Sequence, residues 1–332
     1  MLSEDRIIQL IKKLSENKIP KKDNKIIGIG DDCAVIPKGN SSSYLISTDA
    51  LVENTHFILD KITPEELAYK AIGINISDIA AMGGTPLFLF ISVGLKNSLS
   101  DNWLSKFIKS INKVANLFGV LVLGGDTVRA QKEFFINITV IGEALNKHIK
   151  YRVNAKANDI IAVTGILGDS KKGLDFILNN IEHKNKKYFY KKHYKPYIYH
   201  EEGGFLAAKK SVTSMMDVSD GLKADLTKLC KASNVGAEVD VNKIPISNKL
   251  EHYFNNKLKA RLYAASGGED YVLLFTVKAK YFKSLQEVYL NKFQNNIYEI
   301  GRILKHTASV KFYNENQEVS MDVPNEFSHF LS

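Results

Sequence analysis

The spacing of hydrophobic residues changes several times along the chain, and each change marks an element. At the start, Ile7, Ile8, Ile11 and Leu14 recur at helical spacing among charged residues, predicting an amphipathic helix over residues 1–16. Short apolar runs at 25–30 and 44–49 end in the polar turns Gly28-Ile29-Gly30-Asp31-Asp32 and Ser47-Thr48-Asp49. They predict two strands, each delivering carboxylates at its end. Thr63-Pro64-Glu65-Glu66 supplies a helix N-cap, a proline at the first helical position and a glutamate placed for a capping box, and Gly83-Gly84 with Pro86 ends the segment. Leu67, Ala71, Ile74 and Asp78 share one face of this helix, so a carboxylate ends an apolar stripe and needs a partner.

A strand near 87–94 and a helix over 101–118 follow, the latter with Leu104, Phe107, Ile111, Val114 and Phe118 inward. A buried strand over 120–123 stops at Gly124-Gly125-Asp126-Thr127, and residues 134–140 alternate as another strand. The polar stretch 146–158 reads as a boundary between an N-terminal domain, residues 1–145, and a C-terminal domain, residues 146–332. The second half predicts a strand at 159–164, helical and basic material up to position 210, and a strand at 214–218 running into Ser219-Asp220-Gly221. A helix over 222–233, a strand at 237–241, the turn Ser266-Gly267-Gly268-Glu269-Asp270 and a strand at 271–277 follow. Strands and helices interleave in both halves, which predicts an α/β fold.

Composition narrows the class. No apolar run approaches a membrane span: the most hydrophobic stretch, 86–95, gives way to polar residues. The charged first helix differs from a signal peptide, and a cytoplasmic location is expected. Cys33 and Cys230 lie in unrelated contexts, suggesting neither a disulfide framework nor a zinc site. Lys plus Arg number 45 against 36 Asp plus Glu, a formal +9, which suits phosphorylated small molecules, anionic membranes or nucleic acid alike. The densest basic tract, 184–195, mixes six lysines with Tyr188, Phe189, Tyr190 and Tyr194, as a single-strand binder would. It is also what a solvated helix face looks like. Lys, Asn and Ile abound throughout the chain, so the tract does not stand out, and no nucleic-acid or membrane partner is expected.

Acidic residues beside Gly, Ser or Thr recur at the ends of predicted strands: Asp31 and Asp32, Asp49, Asp126, Asp217 and Asp220, Glu269 and Asp270. Each alone is most simply a turn residue. Their repetition at strand ends, where α/β sites lie, points to a shared site. Carboxylates gathered in one place raise one another's pKa, so a fold that gathers them holds cations among them. No loop fits the twelve-residue Ca²⁺ pattern, whereas Mg²⁺ is held by a few carboxylates from distant segments together with substrate phosphates. The neighbouring glycines let backbone N–H groups approach phosphate oxygens, yet the chain has neither a P-loop nor a protein-kinase signature set. Gly28-Ile29-Gly30 lacks the third glycine of a dinucleotide fingerprint.

In order along the chain stand Gly28-Ile-Gly-Asp-Asp-Cys-Ala34, Ser47-Thr-Asp49 with His56-Phe57, Asn75-Ile-Ser-Asp78-Ile-Ala-Ala-Met-Gly83, Gly124-Gly-Asp-Thr-Val-Arg129, Asp217-Val-Ser-Asp-Gly-Leu222 and Ser266-Gly-Gly-Glu-Asp-Tyr271. Together these resemble the thiamine-monophosphate kinase family, within a superfamily of ATP-using synthetases that includes those making aminoimidazole ribonucleotide and selenophosphate. The resemblance implies two α/β (α+β) domains, the N-terminal one carrying a mixed sheet flanked by helices and forming a homodimer. It implies Mg²⁺ and ATP, and thiamine monophosphate as acceptor. By position it assigns Asp32, Thr48, Asp49, Asp78, Asp126, Asp217 and Asp220 to Mg²⁺, with Asp126, Asp217 and Asp220 central to catalysis. Gly125, Asp126, Arg152 and Ser219 fall at nucleotide positions, and His56, Glu269 and Phe327 at acceptor positions. The C-terminal run departs from the family pattern, with Glu326 before Phe327 where glycine is usual and Val323 where an aromatic is common. The alternative within the superfamily is another synthetase; the Asp217 and Ser266 motifs favour the kinase, and the N-terminal segment lacks a reactive cysteine.

Overall fold

The computed structural model describes residues 3–16, 26–305 and 309–321. In the first half, helix α1 (Glu4–Glu16) precedes strands β1 (Ala34–Lys38) and β2 (Ser42–Val52), helix α2 (Pro64–Ala81), strand β3 (Thr85–Leu95), helix α3 (Asp101–Leu117), and strands β4 (Leu121–Arg129) and β5 (Phe135–Leu145). The five strands form one sheet in the order β1-β2-β5-β3-β4, antiparallel except for the parallel pair β3–β4. A core built from α2, α3 and the inward positions of β2 and β5 includes Leu45, Leu67, Ile72, Phe107, Ile138 and Val140. Helix α2 starts as its sequence demands: the Thr63 hydroxyl accepts from Glu66 N while the Glu66 carboxylate accepts from Thr63 N, the two halves of a capping box.

The second half runs β6 (Asp159–Val163), α4 (Asp169–Leu178), α5 (Lys186–Tyr194), α6 (His200–Ala207), β7 (Val212–Asp217), α7 (Leu222–Ser233), β8 (Gly236–Asp240), α8 (Asn248–Phe254), α9 (Lys257–Ala265), β9 (Leu273–Lys278), α10 (Phe282–Phe293), β10 (Tyr298–Leu304), β11 (Val310–Asn314) and β12 (Gln317–Val319). Its seven strands form a second mixed sheet in the order β12-β11-β8-β10-β6-β9-β7. Strand β6 is buried at every residue, as a central strand covered on both faces should be. The two halves meet where α2 lies against β7 and α6: Ala80 and Ala81 of α2 belong to the core of the second half.

Three sequence expectations are corrected. Residues 26–30 form no regular strand; Ile27 and Ile29 make isolated bridges as the chain turns at Gly30 (φ +142°), and the strand proper is β1. Strand β2 does not end at Asp49 but continues to Val52, its whole length paired with β5. Strand β4 likewise runs on through Gly124-Gly125-Asp126-Thr127 to Arg129 and is not the buried strand expected: it lies at the sheet's edge with all nine of its residues exposed. The basic tract becomes α5, which buries Phe189, His193 and Tyr194, while Tyr188 bonds to Asp169, so its rings are committed to the protein interior. No helix among the described residues is long and apolar enough to cross a membrane.

Candidate active site

Three carboxylates from three distant segments converge where the halves meet. Asp32 stands in the turn before β1, Asp78 near the end of α2 and Asp217 at the end of β7, and oxygen atoms of all three lie within 4.8 Å of one another. Asp217 is buried and accepts a hydrogen bond from Ser77 Oγ at 2.5 Å, which ties α2 to β7 directly. Asp78 accepts from Ser47 Oγ on β2, and Asn75 Oδ1 accepts from Asp49 N, so the polar face at the end of α2 fixes the outer members of the group. Burial pushes the Asp217 carboxyl up to about 8, with the charge of Asp32 adding and the Ser77 hydroxyl opposing. Asp78 is pushed well up by burial and by Asp49 and Asp217; Asp49 is raised chiefly by burial, against a hydrogen bond with Asp78. These are the shifts expected of acids packed together in low dielectric.

Arg152, in the connection between the halves, supplies the cluster's counter-charge. Its guanidinium pairs with Asp32, its Nε lies 3.7 Å from Asp31, and its backbone N–H donates to Asp31 at 3.1 Å. Burial works against that cation, but the surrounding carboxylates outweigh it and raise its pKa. Asp31 is pushed to about 7, mainly by burial and then by Asp32, with Arg152 opposing. Asp32 Oδ2 is buried and finds no hydrogen-bond partner among the described residues.

Other expected ligands stand apart from this group. Thr48 projects from the opposite face of β2, since neighbouring strand residues alternate; its hydroxyl meets Thr139 at 3.1 Å and Asn137 at 3.4 Å. Asp126 sits exposed on the edge strand and accepts from Thr127 N. Asp220 pairs with Lys228, although its charge still reaches Asp49, and its backbone N–H donates to the buried Asp225. Gly125 has φ +152°, and a Cβ there would lie 1.7 Å from the Ile91 carbonyl oxygen, so close approach to β3 requires glycine at that point.

The turn before β9 carries two non-glycine residues in the left-handed region, Glu269 (φ +61°) and Tyr271 (φ +51°), held by Glu269 N to Ser219 O at 2.7 Å and Tyr271 N to Val218 O at 2.9 Å. This strained backbone, of the kind found at functional positions, turns Glu269 and Asp270 in different directions. Asp270 is buried and accepts from Gly168 N and Ser170 N beside a cavity of about 280 Å³ whose walls include Lys192, Tyr197, Tyr199 and Tyr298. Glu269 faces α2, where Lys70 pairs with it at 2.8 Å and His193 approaches it at 3.1 Å. His56 lies close by: its carbonyl accepts from Lys70 at 3.2 Å and its Nδ1 accepts from Val52 N at 3.0 Å. Expected acceptor positions His56 and Glu269 are thus brought together; Phe327 lies outside the described residues. Sequence reasoning passed over Lys70 and His193. A signal existed for the first, because Lys70 is the one charged residue between Leu67 and Ser77 on a helix of otherwise buried character.

The chain is similar to known proteins over nearly its whole length. A family model described as AIR synthase related protein, N-terminal domain, matches residues 30–144, and its C-terminal counterpart matches 191–312. The thiamine-monophosphate kinase of Buchnera aphidicola subsp. Acyrthosiphon pisum is 37% identical, with 97% of this chain and 98% of that protein covered. The chain belongs to the thiamine-monophosphate kinase family. The family's Escherichia coli K12 member is 34% identical over 92% of each chain. A solved structure of AaThiL complexed with AMPPCP and TMP superposes with a TM-score of 0.83 at 30% identity, covering 99% of this chain and 97% of that one.

Proposed function

We propose that the protein transfers the γ-phosphoryl group of ATP directly to the phosphate of thiamine monophosphate, giving thiamine diphosphate and ADP. Among the features of the site, the convergence of Asp32, Asp78 and Asp217 carries this reading. Three mutually repelling carboxylates, one with a buried oxygen lacking a donor among the described residues, suit a hard divalent cation. Asp32, Asp78 and Asp217 would hold Mg²⁺, with Asp49 beside them and Asp126 and Asp220 as further carboxylate ligands. Thr48 would take part through its backbone, since its hydroxyl faces the other side of the sheet. When bound, Mg²⁺ neutralises phosphate charge, the main obstacle to bringing one anion onto another.

The chain's own residues have a positioning task. A monophosphate with a second pKa of ~6 is already largely ionised at neutrality, so no side chain has to remove a proton from the attacking oxygen. Gly125, Arg152 and Ser219 would contact the nucleotide, and His56, Glu269 and Phe327 the acceptor, aligning attacking oxygen, phosphorus and leaving oxygen in line. Support for the domain division comes from the first sheet ending at Leu145 and the second starting at Asp159. The exposed apolar edge strand β4, with Leu121, Leu123 and Val128 in solvent, supports a homodimer formed through the N-terminal domain. We also place the protein in the cytoplasm, with neither nucleic acid nor membrane as partner.

The test is a coupled assay that follows ADP and thiamine diphosphate together, with Mg²⁺ and ATP, in the presence and absence of thiamine monophosphate. The two products should appear in equal amounts, and Asp217→Asn should abolish both while its circular dichroism is unchanged. ADP release without thiamine diphosphate would reject the acceptor, and near-normal turnover by Asp217→Asn at saturating Mg²⁺ would reject the cation site.

A further inference from the structure

Lys70 lies in the middle of α2 and is fully buried. A buried ammonium is tolerated only when its charge is paired and its donors are used. Here all three N–H donors have acceptors: Glu269 Oε1 at 2.8 Å, the His56 carbonyl at 3.2 Å and His193 Nε2 at 3.4 Å. His193 Nδ1 closes the ring, 3.1 Å from Glu269 Oε2. Burial holds the imidazole pKa down to about 3, with the Lys70 charge reinforcing it. The ring is therefore neutral, and a neutral imidazole has one acceptor and one donor nitrogen. Nε2 accepts from Lys70, which leaves Nδ1–H as the donor, with Ser170 Oγ at 3.2 Å and the Glu269 carboxylate at 3.1 Å in front of it. Glu269 itself is drawn below the usual carboxylate range: burial would raise it, but the charge and hydrogen bond of Lys70 outweigh that.

Lys70 and Glu269 differ in access. The lysine side chain is 0% exposed and the Glu269 side chain 27%, so the lysine cannot meet a ligand while the carboxylate it holds can. His56 comes from the loop after β2 and Glu269 from the turn before β9, on opposite sides of the junction between the halves, and Lys70 bonds to both. Glu269 also sits in the left-handed region (φ +61°), a conformation that persists only when its surroundings enforce it.

We propose that Lys70, with His193 behind it, is a positioning residue for acceptor recognition, locking His56 and Glu269 at one spacing across the two halves before any ligand arrives. The proposal rests on the assignment of His56 and Glu269 to the acceptor. Steady-state kinetics of Lys70→Met, His193→Gln and Glu269→Gln, with ATP and thiamine monophosphate varied separately, test both. Losing one partner of a buried charge pair should raise the thiamine monophosphate KM of Lys70→Met by about tenfold or more, with the ATP KM within about twofold of wild type. His193→Gln should move the same constant in the same direction by a smaller factor, and it decides the matter if Lys70→Met does not fold. If Glu269→Gln raises the acceptor KM but folded Lys70→Met and His193→Gln do not, the positioning role is wrong and the acceptor assignment stands. If the variants raise both KM values alike, the residues are merely structural and the proposal falls. An unchanged acceptor KM in Glu269→Gln would overturn the assignment itself, and this inference with it.

Discussion

Adjacent glycines on α6 offer a sharp test of how the two halves are packed. A Cβ on Gly203 would lie 2.3 Å from the Ala80 carbonyl oxygen and 3.0 Å from Ala80 Cα, whereas one on Gly204 would meet nothing within 4 Å. Both substitutions by alanine gain helix propensity of up to ~1 kcal/mol. Only Gly203→Ala must push apart backbone against backbone, by roughly an ångström, which no rotamer change can relieve; overpacking of this kind costs ~1–3 kcal/mol. The two variants should therefore differ in stability by about 1–3 kcal/mol, or roughly 1–4 °C in Tm for a chain of this size. Differential scanning calorimetry of wild type and both variants measures it, with Gly204→Ala expected at or above wild type and Gly203→Ala below it. The consequence reaches the site because Ala80 follows Asp78 on α2 by two residues, and Ser77 of the same helix holds Asp217 at 2.5 Å. A shift of α2 approaching an ångström should lower kcat by up to about a hundredfold in Gly203→Ala and leave Gly204→Ala unchanged. A Gly203→Ala protein that melts no lower than Gly204→Ala would refute close packing of α2 on α6.

Two further outcomes follow from particular groups. His193 has a folded-state pKa of about 3, below its ordinary 6.5. As pH falls from 6.5 towards 3 the unfolded chain takes up a proton that the folded one refuses, so this residue subtracts about 1.4 kcal/mol of stability per pH unit in that window. Urea unfolding of His193→Gln at pH 7, 5.5 and 4.5 should show its stability relative to wild type improving with acid; a constant difference would mean that His193 is not buried neutral. On the edge strand, the pair Leu121→Lys and Leu123→Glu should convert the proposed dimer to a folded monomer in sedimentation velocity at micromolar concentration, and a wild-type protein already monomeric there would remove that proposal.

Local chemistry in the sequence determined much of this protein. The capping box at Thr63 and Glu66 sets the start of α2, helix α7 spans Leu222–Ser233 as its pattern predicts, the recurring acidic turns single out Asp32 and Asp217, and the apolar stripe of α2 singles out Asp78 at its end. Such signals are readable because capping, turn formation and periodicity act over a few residues. Where strands end was less legible: β2 and β4 run through their polar motifs because neighbours in the sheet supply hydrogen bonds that Asp, Gly and Thr do not themselves forbid. Only the tertiary structure decided which acids meet. Asp78 and Asp217 share a site because α2 crosses onto β7, Asp126 stays in solvent because none of the described residues covers its strand, and Thr48 faces away because β2 remains extended past it. Lys70 reads in sequence as one lysine on a helix. Its burial, and the three acceptors that make burial tolerable, come from segments far apart in the chain, and no local pattern encodes a charge whose partners are chosen by packing.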